Sequence, residues 1–76
     1  MSQLEVTVSS SSLTPAELRV LRYLILGLTN IQIAKQVDVN QRTVQAHMSN
    51  ILSKTHFTNR TALALWAIKQ PEVINV

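Results

Sequence analysis

The chain has 76 residues, 46% hydrophobic and 14% charged, with a net charge of +3 and no cysteine. That length holds one domain with one modest core. The lack of thiols excludes disulfides and thiolate metal sites, and no apolar run reaches the roughly 18 residues of a membrane span. The basic residues Arg19, Arg22, Lys35, Arg42, Lys54, Arg60 and Lys69 are mild evidence for a polyanionic partner. Residues 1–12 lack the basic start and apolar stretch of a signal peptide, so the expectation is a soluble cytoplasmic protein.

Residues 1–12 read as a flexible leader or linker ending in four serines. Leu4, Val6 and Val8 alternate like a strand, but a lone strand has nothing to pair with. The first helix opens at Thr14 as N-cap, with Pro15 at the first helical position and Glu17 completing a capping box. Leu13 and Leu18 are placed to form the hydrophobic staple across it. Leu18, Leu21, Leu24, Ile25 and Leu28 recur at helical spacing, and Gly27 is suited to the left-handed turn that ends the helix. Thr29 and Gln32 make a second capping box, with Ile33, Ala34 and Val37 on one face and a stop near Asp38.

Asn40 caps a third helix over about 41–54, whose apolar face is Val44, Met48, Ile51 and Leu52. Asn59 or Thr58 caps a fourth over about 60–70, stopped by Pro71, and residues 71–76 read as a tail. The fold expected is all-α, a compact four-helix domain over 13–70.

The second and third helices are joined by only about three residues, which forces the steep crossing of a helix-turn-helix at about 29–48. Ala34 fits the close contact, with Val37, Val39 and Val44 filling the wedge. In such a motif the second helix enters the major groove of duplex DNA. Its exposed face is polar, small and nearly free of acids. Gln45, Ala46, Ser49 and Asn50 are the candidate base readers, since Gln pairs with adenine, Ala touches a thymine methyl, and Ser and Asn bond several base edges. The same face read alone serves equally as an ordinary solvated surface; the motif tips the reading. Phosphate contacts are assigned to Thr29 and Asn30 at the start of the second helix and to Arg42, Thr43 and Lys54, with Lys35 a weaker candidate.

These residues resemble the C-terminal DNA-binding domain of LuxR/FixJ-type (GerE-like) bacterial regulators. The resemblance runs from about Leu13 to Lys69 through Leu13-Thr14-Pro15 with Glu17, Val20-Leu21, Gly27, Asn30, Ile33-Ala34, Thr43-Val44, His47, Ile51, Lys54 and Arg60-Thr61. It implies base-reading positions at Gln45, Ala46 and Ser49. It implies regulation of transcription as a homodimer on double-stranded DNA, with RNA polymerase a candidate partner. The dimer would form through Ala62, Leu65, Trp66 and Lys69 of the last helix, opposite an inward stripe of Leu63, Ala64, Ala67 and Ile68. Three positions depart from the pattern: Asp38 and His56 stand where glycine is usual, and Thr55 where leucine is, which would loosen the end of the third helix.

Other readings carry less. His47 and His56 point to opposite sides, so no metal site is expected. Glu17 is a possible partner for Lys54 or Arg60, but its cap role already accounts for it. Trp66 fits core or dimer packing better than base stacking. No nucleophile–base pair, phosphate loop or paired carboxylate points to an enzyme, a cofactor or a small-molecule ligand. The alternative function is a DNA-independent protein-binding module that heterodimerises with a related regulator and blocks it. A sigma-factor promoter-recognition domain is a lesser option, opposed by Gly27-Leu28-Thr29-Asn30 and His47.

Overall fold

Five helices follow one another in the computed structural model, which describes residues 12–74: α1 (Pro15–Leu24), α2 (Asn30–Val37), α3 (Gln41–Thr55), α4 (Arg60–Ala67) and α5 (Pro71–Ile74). The alternation at Leu4, Val6 and Val8 lies outside the described residues. Each of the first four helices begins as its side chains dictate. Thr14 Oγ1 accepts from the Glu17 N–H while Glu17 Oε1 accepts from the Thr14 N–H, and Thr29 and Gln32 repeat the arrangement. Asn40 and Asn59 accept from the amides of Thr43 and Ala62. Between them these caps satisfy donors that helix geometry leaves without a partner.

The helix ends are equally local in origin. At the close of α1 the Gly27 N–H donates to Leu24 O (2.9 Å) and the Leu28 N–H to Tyr23 O (3.3 Å), the hydrogen-bond pair of a Schellman motif. Gly27 takes φ +88° there, as its missing side chain permits. Asp38 closes α2 at φ 59°, ψ 48°, and His56 closes α3 at φ 63°, both in the left-handed region expected of them.

The chain's last segment differs from the expected tail. α4 ends at Ala67, three residues sooner than expected, and the chain turns through 68–70. Pro71 cannot extend α4, because it has no N–H and its ring blocks the preceding turn, but its fixed φ suits the first position of a new helix. The Val73 and Ile74 amides both donate to Gln70 O, and Val73 is buried to 1% exposure against α1. Arg22 on α1 reaches over to donate from Nε to Val73 O and from Nη2 to Glu72 O, each at 3.3 Å.

The core is one cluster drawn from all five helices and from Leu13, which precedes the Thr14 cap: Leu13, Val20, Leu21, Leu24, Ile33, Ala34, Val44, Met48, Ile51, Leu63, Ala67 and Val73. Two placements differ from the sequence pattern. α1 turns Val20, Leu21 and Leu24 inward, whereas Leu18, Ile25 and Leu28 pack at the edge. Val39, expected in the wedge between α2 and α3, is 39% exposed, because its amide follows the left-handed Asp38 back to Ala34 O and the side chain turns out of the crossing. Ala34 and Val44 are buried as expected, together with Ile33, and Val37 packs half-buried against the same core. No described helix is long and apolar enough to cross a membrane.

Candidate nucleic-acid interface

α3 is held from one side only. Val44, Met48 and Ile51 anchor it, and the opposite face carries Gln41, Arg42, Gln45, Ala46, Ser49, Asn50 and Ser53, all exposed. The four candidate base readers, Gln45, Ala46, Ser49 and Asn50, lie together on this face, at the i, i+1, i+4, i+5 spacing that groups side chains on one helix surface. No acidic residue occurs between Gln41 and Thr55, so nothing on α3 repels a phosphate chain.

The five candidate phosphate residues fare differently. Arg42 is exposed and has no hydrogen-bond or ionic partner among the described residues. Thr29 uses its oxygen to accept from the Gln32 amide, leaving its hydroxyl proton free to donate elsewhere. Thr43 is half-buried and its hydroxyl donates to Asn40 Oδ1 at 3.1 Å, so it meets a phosphate only by breaking that bond. Asn30 Oδ1 accepts from Arg60 Nη1 at 2.6 Å. Lys54 Nζ lies 2.7 Å from Glu17 Oε1, as an ion pair and hydrogen bond across 37 residues of sequence.

That ion pair ties the C-terminal end of α3 to the N-terminus of α1. Glu17 is 3% exposed. Burial pushes its carboxyl upward, but the Lys54 hydrogen bond and charge and the Thr14 N–H outweigh it and hold the acid below its ordinary value of 4.5. The cap role therefore does not exhaust Glu17, and Lys54 has a partner inside the chain.

The model of the bacterial regulatory proteins of the luxR family matches residues 11–67. The chain belongs to that family. It is 44% identical over 57 residues to the probable transcriptional regulator ycf29 of Porphyra purpurea, covering 75% of this chain and 27% of that protein. It is 34% identical over 56 residues to the nitrate/nitrite response regulator protein NarL of Escherichia coli (74% of this chain, 26% of that protein). It is 36% identical over 63 residues to the transcriptional regulatory protein LiaR of Bacillus subtilis (83% and 30%). The chain thus spans less than a third of the length of these relatives.

Within this luxR-family domain, the departures at positions 38, 55 and 56 leave the helices intact. Asp38 and His56 adopt the turn conformation directly. Thr55 is buried, and its hydroxyl donates to Ile51 O at 2.8 Å, so α3 keeps its last turn instead of loosening. The last long helix presents a different surface from the one expected. Leu65 (61% exposed), Ile68 (48%) and Lys69 face outward, whereas Ala62 and Trp66 are half-buried. Trp66 packs on the core cluster and tilts at 48° to Phe57 with ring centroids 5.7 Å apart. Ile68, expected in the inward stripe, lies just past the end of α4 and turns to solvent. Arg22 and Arg60 are the residues whose specific roles were not read from sequence. Their acceptors are carbonyl and amide oxygens 30 to 51 residues away, which no local pattern records.

Proposed function

We propose that this chain binds double-stranded DNA with α3 in the major groove and serves as the DNA-binding unit of a transcription regulator that works as a dimer. The observation that carries this reading is the acid-free, polar face of α3, exposed along its length beside a tight turn from α2. A helix so presented matches the width of the groove, and its Gln, Ala, Ser and Asn side chains match base edges. Gln45, Ala46, Ser49 and Asn50 read bases. Arg42, the N-terminal turn of α2 with Thr29 and Asn30, and Thr43 after rotation of its hydroxyl contact phosphates. Lys54 acts on the duplex mainly by setting the pose of α3. Residues 1–12 serve as leader or linker to the domain. Dimerisation runs through the outward side of α4 and the turn after it, centred on Leu65 and Lys69 with Ala62 and the edge of Trp66 beside them.

The test is fluorescence anisotropy of the domain with a mixed-sequence duplex, followed by selection of a preferred site. Binding that weakens as salt rises, together with a Gln45→Ala variant that changes the preferred site while keeping affinity for mixed DNA, is the expected result. No binding at low salt rejects the DNA reading. Capture of a related regulator by that non-binding domain would establish the protein-binding alternative in its place.

A further inference from the structure

We propose that Arg60 is a positioning residue for DNA binding: it holds the Asn30 side-chain oxygen inward and so presents the Asn30 amide NH2 outward as a donor to a backbone phosphate. The inference rests on the DNA reading above. Its chemical basis is that a guanidinium carries five N–H donors and no acceptor. Only the oxygen of the Asn30 amide can therefore face Arg60 Nη1, from which it lies 2.6 Å. The amide is planar, so its NH2 group points along the other branch, and it has no partner among the described residues.

Arg60 is itself held. Its Nη2 donates to Leu28 O at 3.0 Å, in the connection between α1 and α2, so the guanidinium rests on two acceptors and has little freedom to turn. Asn30 is the first residue of α2 and is half-exposed. The neighbouring capping box already uses the amides of Thr29 and Gln32. The Asn30 NH2 thus adds two donors beside the backbone amides of Asn30 and Ile31, which helix geometry leaves without intrahelical acceptors. Asparagine at this position consequently has a role that aspartate cannot fill, although aspartate would satisfy Arg60 better.

That asymmetry supplies the experiment. Duplex affinity is measured by anisotropy at fixed salt for the wild-type domain, Asn30→Asp, Gln32→Glu, Asn30→Ala, Arg60→Met and the double variant Asn30→Ala/Arg60→Met, each with its melting temperature. Asn30→Asp should melt no lower than wild type yet lose about tenfold or more in affinity for every duplex, the scale of one hydrogen bond to a charged oxygen. Gln32→Glu adds the same charge in the same turn and should lose only about threefold or less, as a screened exposed charge does. Because Arg60 acts through Asn30, the double variant should bind as Asn30→Ala does. Equal losses from the two acidic substitutions, or additive losses in the double variant, overturn the proposal. Asn30→Asp carries the test even where Arg60→Met does not fold. A wild-type domain that binds no duplex removes the DNA reading and this inference with it, whereas intact wild-type binding that Asn30→Asp leaves unchanged removes this inference alone.

Discussion

Glu17 was legible in the sequence as a cap because a capping box is a four-residue pattern, and it was only half read because its second partner is 37 residues away. The pair it makes with Lys54 gives the domain a specific acid sensitivity. The folded-state carboxyl sits below 4.5. Its contribution to stability is therefore complete above that value and is lost as pH falls through the lowered one. Urea unfolding followed by circular dichroism from pH 6 to 3 should show that loss, and Lys54→Met should flatten it. At pH 7 the same variant should destabilise the domain by about 1–2 kcal/mol, because it leaves a buried carboxylate short of a donor while water still reaches part of the site. A pH profile unchanged by Lys54→Met would refute the assignment. Asp38 offers a change of opposite sign. A left-handed backbone costs a non-glycine residue about 1 kcal/mol or somewhat more, less for Asp than for most. Asp38→Gly, at φ 59°, should therefore raise the unfolding midpoint by the equivalent of about 0.5–1 kcal/mol, despite the looser unfolded chain. A lower midpoint would mean that the carboxylate contributes more than the strain costs.

The four long helices were recoverable because each announces itself twice, by a capping side chain at its start and by apolar spacing along it. Thr14, Thr29, Asn40 and Asn59 all cap as their positions suggest. α5 was not recoverable in this way. Four residues carry no helical period, and Pro71 reads as a stop signal whether or not a new helix starts on it. What makes α5 part of the domain is tertiary: burial of Val73 and the reach of Arg22 to the carbonyls of Glu72 and Val73. Val73→Ala should accordingly cost about 1–2 kcal/mol of stability, the scale of two buried methyl groups. Arg22→Ala should cost less, about 1 kcal/mol, since one of its two bonds is exposed to water. Thermal melts decide the matter; a residue in a free tail would show no change on Val73→Ala.

The whole molecule divides its basic residues between folding and whatever lies outside. Arg22, Lys54 and Arg60 are engaged within the chain, while Arg19, Lys35, Arg42 and Lys69 have no hydrogen-bond or ionic partner among the described residues. Of these four, only Lys35 and Arg42 sit on the two helices of the motif. The net charge of +3 read from composition gave no hint of this division, because the internal acceptors of Arg22 and Arg60 are neutral oxygens. It sets a quantitative expectation for DNA binding. Each phosphate neutralised contributes a slope of about −0.9 to the logarithm of affinity against the logarithm of salt. One domain using Lys35 and Arg42 should then give a slope near about −2, and a dimer near about −4. Leu65→Lys, which puts a charge on the most outward apolar residue of α4, should reduce the larger slope to the smaller without altering the melting temperature of the monomer. Arg42→Gln should reduce the slope per domain by about 0.9, and Lys54→Met, measured where it is folded, should leave it unchanged. If Lys54→Met lowers the slope instead, the lysine leaves Glu17 for a phosphate on binding, and the ion pair belongs to the free protein alone.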